Sequence, residues 1–176
     1  MPNWTSNKLI VAGPAKDIAA FKSQAKCGEN DFAFESFLPV PKELADIHIG
    51  FTNINGTRYT KWRTVDGKDV GLSDKDLAAL RKKYGHDNWY DRNCAVLGTK
   101  WDVGGSLVSN HSGKLVYQFE SAWAPPSPGI QRISEQYPTL KFTLNYRGEC
   151  GEFAGQQVFE CGDIVSEAEY DEDSIA

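Results

Sequence analysis

The sequence predicts an α+β domain of ferredoxin-like build: a βαββαβ antiparallel sheet with its helices on one face and an inserted helical or irregular segment. Three observations point there. Leu140, Phe142, Leu144 and Tyr146 alternate with Lys141, Thr143, Asn145 and Arg147, the period of a half-buried strand. Ile18, Phe21 and Ala25, and later Ile130, Ile133 and Tyr137, recur instead at helical spacing. Their order along the chain is β-α-β, an irregular stretch, then β-β-α-β and a last strand, which reduces to βαββαβ when the irregular stretch is set aside.

Taken in order, Lys8 to Ala12 reads as a short strand, and the helix after Gly13-Pro14 ends at Gly28. Asp31 to Leu38 alternates Phe32, Phe34 and Ser36 with Ala33, Glu35 and Phe37, which predicts a second strand ahead of Pro39 and Pro41. Residues 40–95 read as an insertion. It holds a short helix at Lys42 to Ala45, a polar segment rich in turn residues, and one strong helix. In that helix Ser73 caps the backbone at Asp76, Leu77, Leu80 and Tyr84 form the stripe, and Gly85 supplies the stop.

Beyond Trp101, Gly105 to Ser109 and Lys114 to Ser121 form a hairpin about the Asn110-His111-Ser112-Gly113 turn, with Leu115, Tyr117 and Phe119 on one face. Ser127 and Pro128 suit the N-cap and first turn of the last helix, which Pro138 stops. A final strand is expected at Gln156 to Cys161. The polar alternates of the late strands imply one solvated sheet face.

The 176 residues, 40% hydrophobic and 24% charged, suit one globular domain, taken as residues 1–165. The short apolar run from Leu9 to Ala12 lacks the basic flank and length of a signal peptide, and no stretch approaches the ~18 apolar residues of a membrane span. A cytoplasmic protein is therefore expected. Cys27, Cys94, Cys150 and Cys161 show no paired spacing and are expected as free thiols, and with His48, His86 and His111 they lack the close spacing of zinc ligands. No metal or cofactor is expected. Six of the acidic residues behind the net charge of -5 lie from Asp163 onward, which leaves the first 162 residues at a net +1. Residues 166–176 read as an acidic tail, either a solvated end or an interaction segment.

Three segments carry a family resemblance: MPNWTSN at the start; Gly98-Thr99-Lys100-Trp101-Asp102 with Ala122-Trp123 and Pro125-Pro126 in the centre; and Phe153-Ala154-Gly155 near the end. Together they resemble the YubB-like family of bacteriophage and plasmid proteins. The resemblance implies a ferredoxin-like domain and a mobile-element origin, and brings no catalytic residues with it. Two positions depart from the family pattern, Thr5 where it usually has Cys and Leu97 where it usually has Trp.

Lys100, Trp101 and Asp102 beside Gly104-Gly105, with Trp123 in a proline-fixed turn, could form a pocket of two indoles, a cation and a carboxylate for a small ligand or peptide. The competing reading has both tryptophans plugging the sheet ends, the commoner use of large aromatic residues. Glu149 and Glu152 flank Cys150 in a glycine-rich loop, and a Cys150 thiolate near His111 is a conceivable nucleophile that no spacing demands. No phosphate-binding fingerprint is present. Tyr117, Phe119, Phe142 and Tyr146 fall on the leucine face, leaving Gln118, Glu120, Thr143 and Asn145 for the other. Nucleic-acid binding is therefore not expected.

Two functions follow as expectations. The first is a mobile-element accessory protein that binds a host protein and inhibits a defence system such as CRISPR or restriction. The second is an enzyme or small-ligand-binding protein using the Lys100, Trp101, Asp102 and Trp123 pocket, with Glu149 as a further candidate. No membrane partner is expected, and the oligomeric state is left open.

Overall fold

The computed structural model describes residues 3–170. In chain order the elements are β1 (Trp4–Ala12), α1 (Ala15–Ala25), a 3-10 turn (Phe34–Ser36), α2 (Lys42–Ala45), β2 (His48–Ile54), β3 (Thr57–Val65), β4 (Lys68–Gly71), α3 (Asp74–Tyr84) and α4 (Trp89–Val96). They continue with β5 (Ser106–His111), β6 (Lys114–Ala122), α5 (Ser127–Gln136), β7 (Lys141–Gly148), β8 (Ala154–Glu160) and β9 (Asp163–Glu169). The described residues divide into two compact units, one of residues 3–39 with 95–170 and the other Val40–Cys94. No helix among the described residues is long and apolar enough to cross a membrane.

The first unit is built on a six-stranded sheet in the order β5-β6-β1-β7-β8-β9. Every neighbouring pair is antiparallel. Strands β1, β5, β6 and β7 with α1 and α5 make the ferredoxin-like βαββαβ plan, and β8 and β9 widen it beyond β7. Leu9 and Val11 of β1, Leu115 and Tyr117 of β6, and Phe142 and Leu144 of β7 share a buried core with Ile18 and Phe21 of α1 and Ile130 and Ile133 of α5. Both helices therefore cover the same sheet face. Each such side chain removed from water contributes about 1.5–3 kcal/mol, so this layer dominates the unit's stability.

Residues 31–38 do not form the expected strand. Phe32 makes a single bridge to Gly105, Phe34–Ser36 is a 3-10 turn, and Phe32, Phe34 and Phe37 all point into the core. The Asp102 carboxylate explains the turn, because Oδ1 accepts from the Phe34 amide at 2.7 Å and Oδ2 from the Glu35 amide at 2.9 Å. The second strand of the plan is β5 instead. At α5 the cap lies one residue earlier than expected, on Pro126, with Ser127 the first helical residue. Residues 166–169, read as the start of the tail, belong instead to β9, which pairs along β8, and positions 171–176 lie outside the described residues.

The second unit carries a three-stranded meander, β2-β3-β4, where the sequence suggested only irregular chain. Its turns are Asn55-Gly56 and Asp66-Gly67, all four residues at φ between 50° and 82°, the primed geometry that closes two-residue hairpins. The α3 helix has both halves of its capping box, Ser73 and Asp76, and ends on left-handed Gly85. Leu44, Ile47 and Leu80 make a small core, backed by Val40, Leu72 and Tyr84. Asp87, 4% exposed, is paired by Lys61 at 2.5 Å and by Arg81. Burial alone would raise its carboxyl, but hydrogen bonds from Lys61 and Asn88, the Lys61 charge and the Arg81 bond hold it below its ordinary value.

Candidate functional site: the helix-free sheet face

Alternation decides which side chains the sheet leaves uncovered. Register places Ser6 between Glu120 and Arg147, and Lys8 between Gln118 and Asn145. Because Leu9 and Val11 face the helices, these neighbours face away from them. They form two rows across a trough of about 700 Å³ on the helix-free face, closed at one side by Tyr170. A second hollow of about 390 Å³ shares Ser6, Glu120 and Arg147 and runs on to Trp4, Glu149 and Cys150.

The trough's polar groups differ in how they are engaged. Gln156 Nε2 donates to Asn145 Oδ1 at 2.7 Å, so the amide row is partly organised. Lys8 and Arg147 make no ion pair among the described residues. Burial, aided by the negative charge of Glu167 and Glu169, raises the Tyr146 hydroxyl above its usual value.

Trp4, on this face at the start of β1, belongs to a cluster of three tryptophans. Trp101 lies 6.0 Å from Trp4 and 6.4 Å from Trp123 between ring centroids, with planes inclined by 31° and 28°. Lys100 Nζ sits 4.4 Å from the Trp101 ring centre and 5.7 Å from that of Trp123. Trp101 is 39% and Trp123 44% exposed, so neither is a buried plug. The Glu149 amide donates to Trp4 O at 2.9 Å and its Oε2 accepts from the Trp4 amide at 3.1 Å, fixing the loop after β7 beside the indoles.

Trp123 has φ 71°, a left-handed conformation that a bulky L-residue rarely adopts. The surrounding backbone imposes it. Trp123 N donates to Asn3 O at 2.8 Å, Ser121 Oγ to Ala124 O at 2.7 Å, and Thr99 Oγ1 both accepts from Ala122 N and donates to Ala122 O. Such a conformation costs about 1–3 kcal/mol, and a half-exposed indole recovers little of it by burial.

Of the residues singled out from the sequence, Lys100, Trp101 and Trp123 do come together, joined by Trp4, and Glu149 borders the same end. Asp102 does not join them, because its carboxylate is spent on the Phe34, Glu35 and Val103 amides. Cys150 and His111 are also kept apart. Cys150 follows Gly148, which pairs with Thr5, whereas His111 pairs with Lys114 opposite Ala12. Seven residues of β1 separate those rows, roughly 23 Å. Sequence reasoning missed the trough cations Lys8 and Arg147, although their place on the polar alternates was visible.

Residues 100–176 match the family model described as a ferredoxin-like domain in Api92-like protein. The chain is similar in structure to the protein api92 of Yersinia pseudotuberculosis, with a TM-score of 0.57 and 10% identity over 97% of this chain and 98% of that one. No curated protein matches it. At that identity the likeness speaks to the fold, and it agrees with the βαββαβ core described above.

Proposed function

We propose that this chain is a binding protein of mobile-element origin, an accessory protein of a phage or plasmid that takes a segment of a host protein onto its helix-free sheet face and thereby inhibits a defence system such as CRISPR interference or restriction. The observation that carries the binding role is the trough itself: a helix-free sheet face whose Lys8 and Arg147 make no ion pair among the described residues, and which continues through Trp4 to a tryptophan cluster with strained backbone at Trp123. Exposed aromatic groups beside cations are the composition of interaction hot spots. The mobile-element origin rests on the sequence motifs that resemble the YubB-like family.

The test is purification of the intact chain and of Arg147→Glu and Trp123→Ala variants from a bacterial host, with a plaque assay against restriction and CRISPR interference in the same cells. A stoichiometric host partner, lost with either variant together with the protection of incoming phage, supports the reading. Capture and protection that survive both substitutions would place the binding surface elsewhere. A second reading, a small-ligand-binding protein, is favoured by the trough volume of about 700 Å³, within the range of ligand pockets. It predicts a copurifying metabolite in place of a protein.

A further inference from the structure

We infer that the trough takes an extended, acidic, proline-bearing peptide, with the proline ring on Trp4 and its neighbour Trp101 and two carboxylates on Arg147 and Lys8. The inference rests on the reading of the trough as a partner-binding surface and names the chemistry of what it holds.

Charge is the first argument. The chain is acidic overall, yet Lys8 and Arg147 share this face without an ion pair among the described residues, and Lys100 adds a third positive charge beside Trp101. Glu120 opposes them within the trough, while Glu149 is held by the Trp4 amide. A carboxylate-bearing segment meets complementary charge here, and a guanidinium favours carboxylates by its paired donors.

Spacing is the second. Trp4, Ser6 and Lys8 lie on one face of β1, and Arg147 stands in the row of Ser6. Successive rows are therefore about 6.6–6.8 Å apart, two residues of extended chain. An extended ligand repeats its same-side side chains at that interval. A ring at Trp4, the tryptophan that belongs to this series of rows and lies 6.0 Å from Trp101, thus puts the residue two further on at Arg147 and the residue four further on at Lys8, which gives the pattern Pro-x-acid-x-acid. Gln118 and Asn145 offer amide groups for its backbone.

The third argument concerns the tryptophans. Aromatic-lined grooves take proline at low entropic cost because its ring already fixes the backbone. A cationic side chain is disfavoured there, since Lys100 already lies over the Trp101 ring.

Titration of tryptophan fluorescence and calorimetry with capped Ala-Pro-Ala-Glu-Ala-Glu-Ala, its lysine counterpart and a short oligothymidine tests the inference on the full chain. The expected result is saturable binding of the glutamate peptide, at least ~10-fold weaker for the lysine peptide and for Arg147→Gln, and unchanged by Lys16→Glu on α1. Melting temperatures of the variants verify that they fold, and Lys8→Gln serves as a second probe should Arg147→Gln not fold. Equal binding of both peptides, or tighter binding of the oligothymidine, overturns it. If Arg147→Glu abolishes capture of the host partner but no peptide binds, the peptide chemistry fails while the trough stands; if capture is also unaffected, both fail.

Discussion

The six-stranded body and the Val40–Cys94 unit reach stability by different routes. In the body, fully buried aromatic and aliphatic side chains from strands far apart in sequence, such as Leu9, Leu115 and Phe142, meet under two helices. The smaller unit clusters only Leu44, Ile47 and Leu80 as its apolar core, with Leu77 buried outside that cluster, and it leaves Phe51 71% exposed beneath the Arg58 guanidinium. Much of its order comes from hairpin turns, a capping box and the Asp87 ion cluster. A hydrophobic layer changes little with pH, whereas capped and ion-paired structure depends on the charge state of a few carboxylates. The comparison therefore separates two kinds of sensitivity within one chain.

The largest expected effect breaks the body. Phe142→Ala should cost about 3–5 kcal/mol, since the ring is fully buried against Phe21 and leaves a cavity, and urea denaturation would measure it. A loss below ~1 kcal/mol would mean that the inner face of the sheet is not the principal core.

The next sharpens the charge side of the comparison. Asp87→Asn leaves Lys61 and Arg81 without their shared anion and should cost about 2 kcal/mol, less than a fully buried pair because Arg81 is half exposed. Because the folded carboxyl titrates below its unfolded value, its contribution is present above about pH 4 and is lost as pH falls through the lower folded value. Hydrogen exchange at pH 7 and at pH 3 should show protection lost in β3 and α3 at the acid end, and Asp87→Asn should remove that pH dependence in β3 while α3 keeps the part due to the capping-box Asp76. Equal acid sensitivity in β1, β6 and β7 would remove the contrast.

Ser73→Ala tests the capping route at about 1 kcal/mol, seen as faster exchange of the first-turn amides of α3. The smallest effect has the opposite sign. Trp123→Gly relieves a left-handed strain and removes a half-exposed ring, so thermal stability should stay level or rise by less than ~1 kcal/mol while partner binding falls. A marked loss of stability would make Trp123 a packing residue.

The elements that the sequence determined by itself are those whose signal is local. Period-two alternation placed β6 and β7 and assigned Phe142 and Leu144 to the inner face; helical spacing placed α1 and α5; Ser73, Asp76 and Gly85 marked both ends of α3. The polar alternates Gln118, Glu120 and Asn145 were likewise readable as the solvated face that became the trough. Asn55-Gly56 and Asp66-Gly67 held a hairpin signal too, obscured because the flanking strands are too exposed to alternate cleanly. Tertiary structure alone decided the rest. The alternation of residues 31–38 is that of a strand, yet Asp102, some seventy positions away, holds the Phe34 and Glu35 amides in a turn while three phenylalanines fill the core. The acidic residues of β9 carry no apolar face, and only pairing along β8 makes them a strand. The tryptophan cluster joins Trp4, Trp101 and Trp123 from distant parts of the chain. Alternation and capping act over a few residues, whereas strand pairing and side-chain convergence depend on partners that no local pattern names.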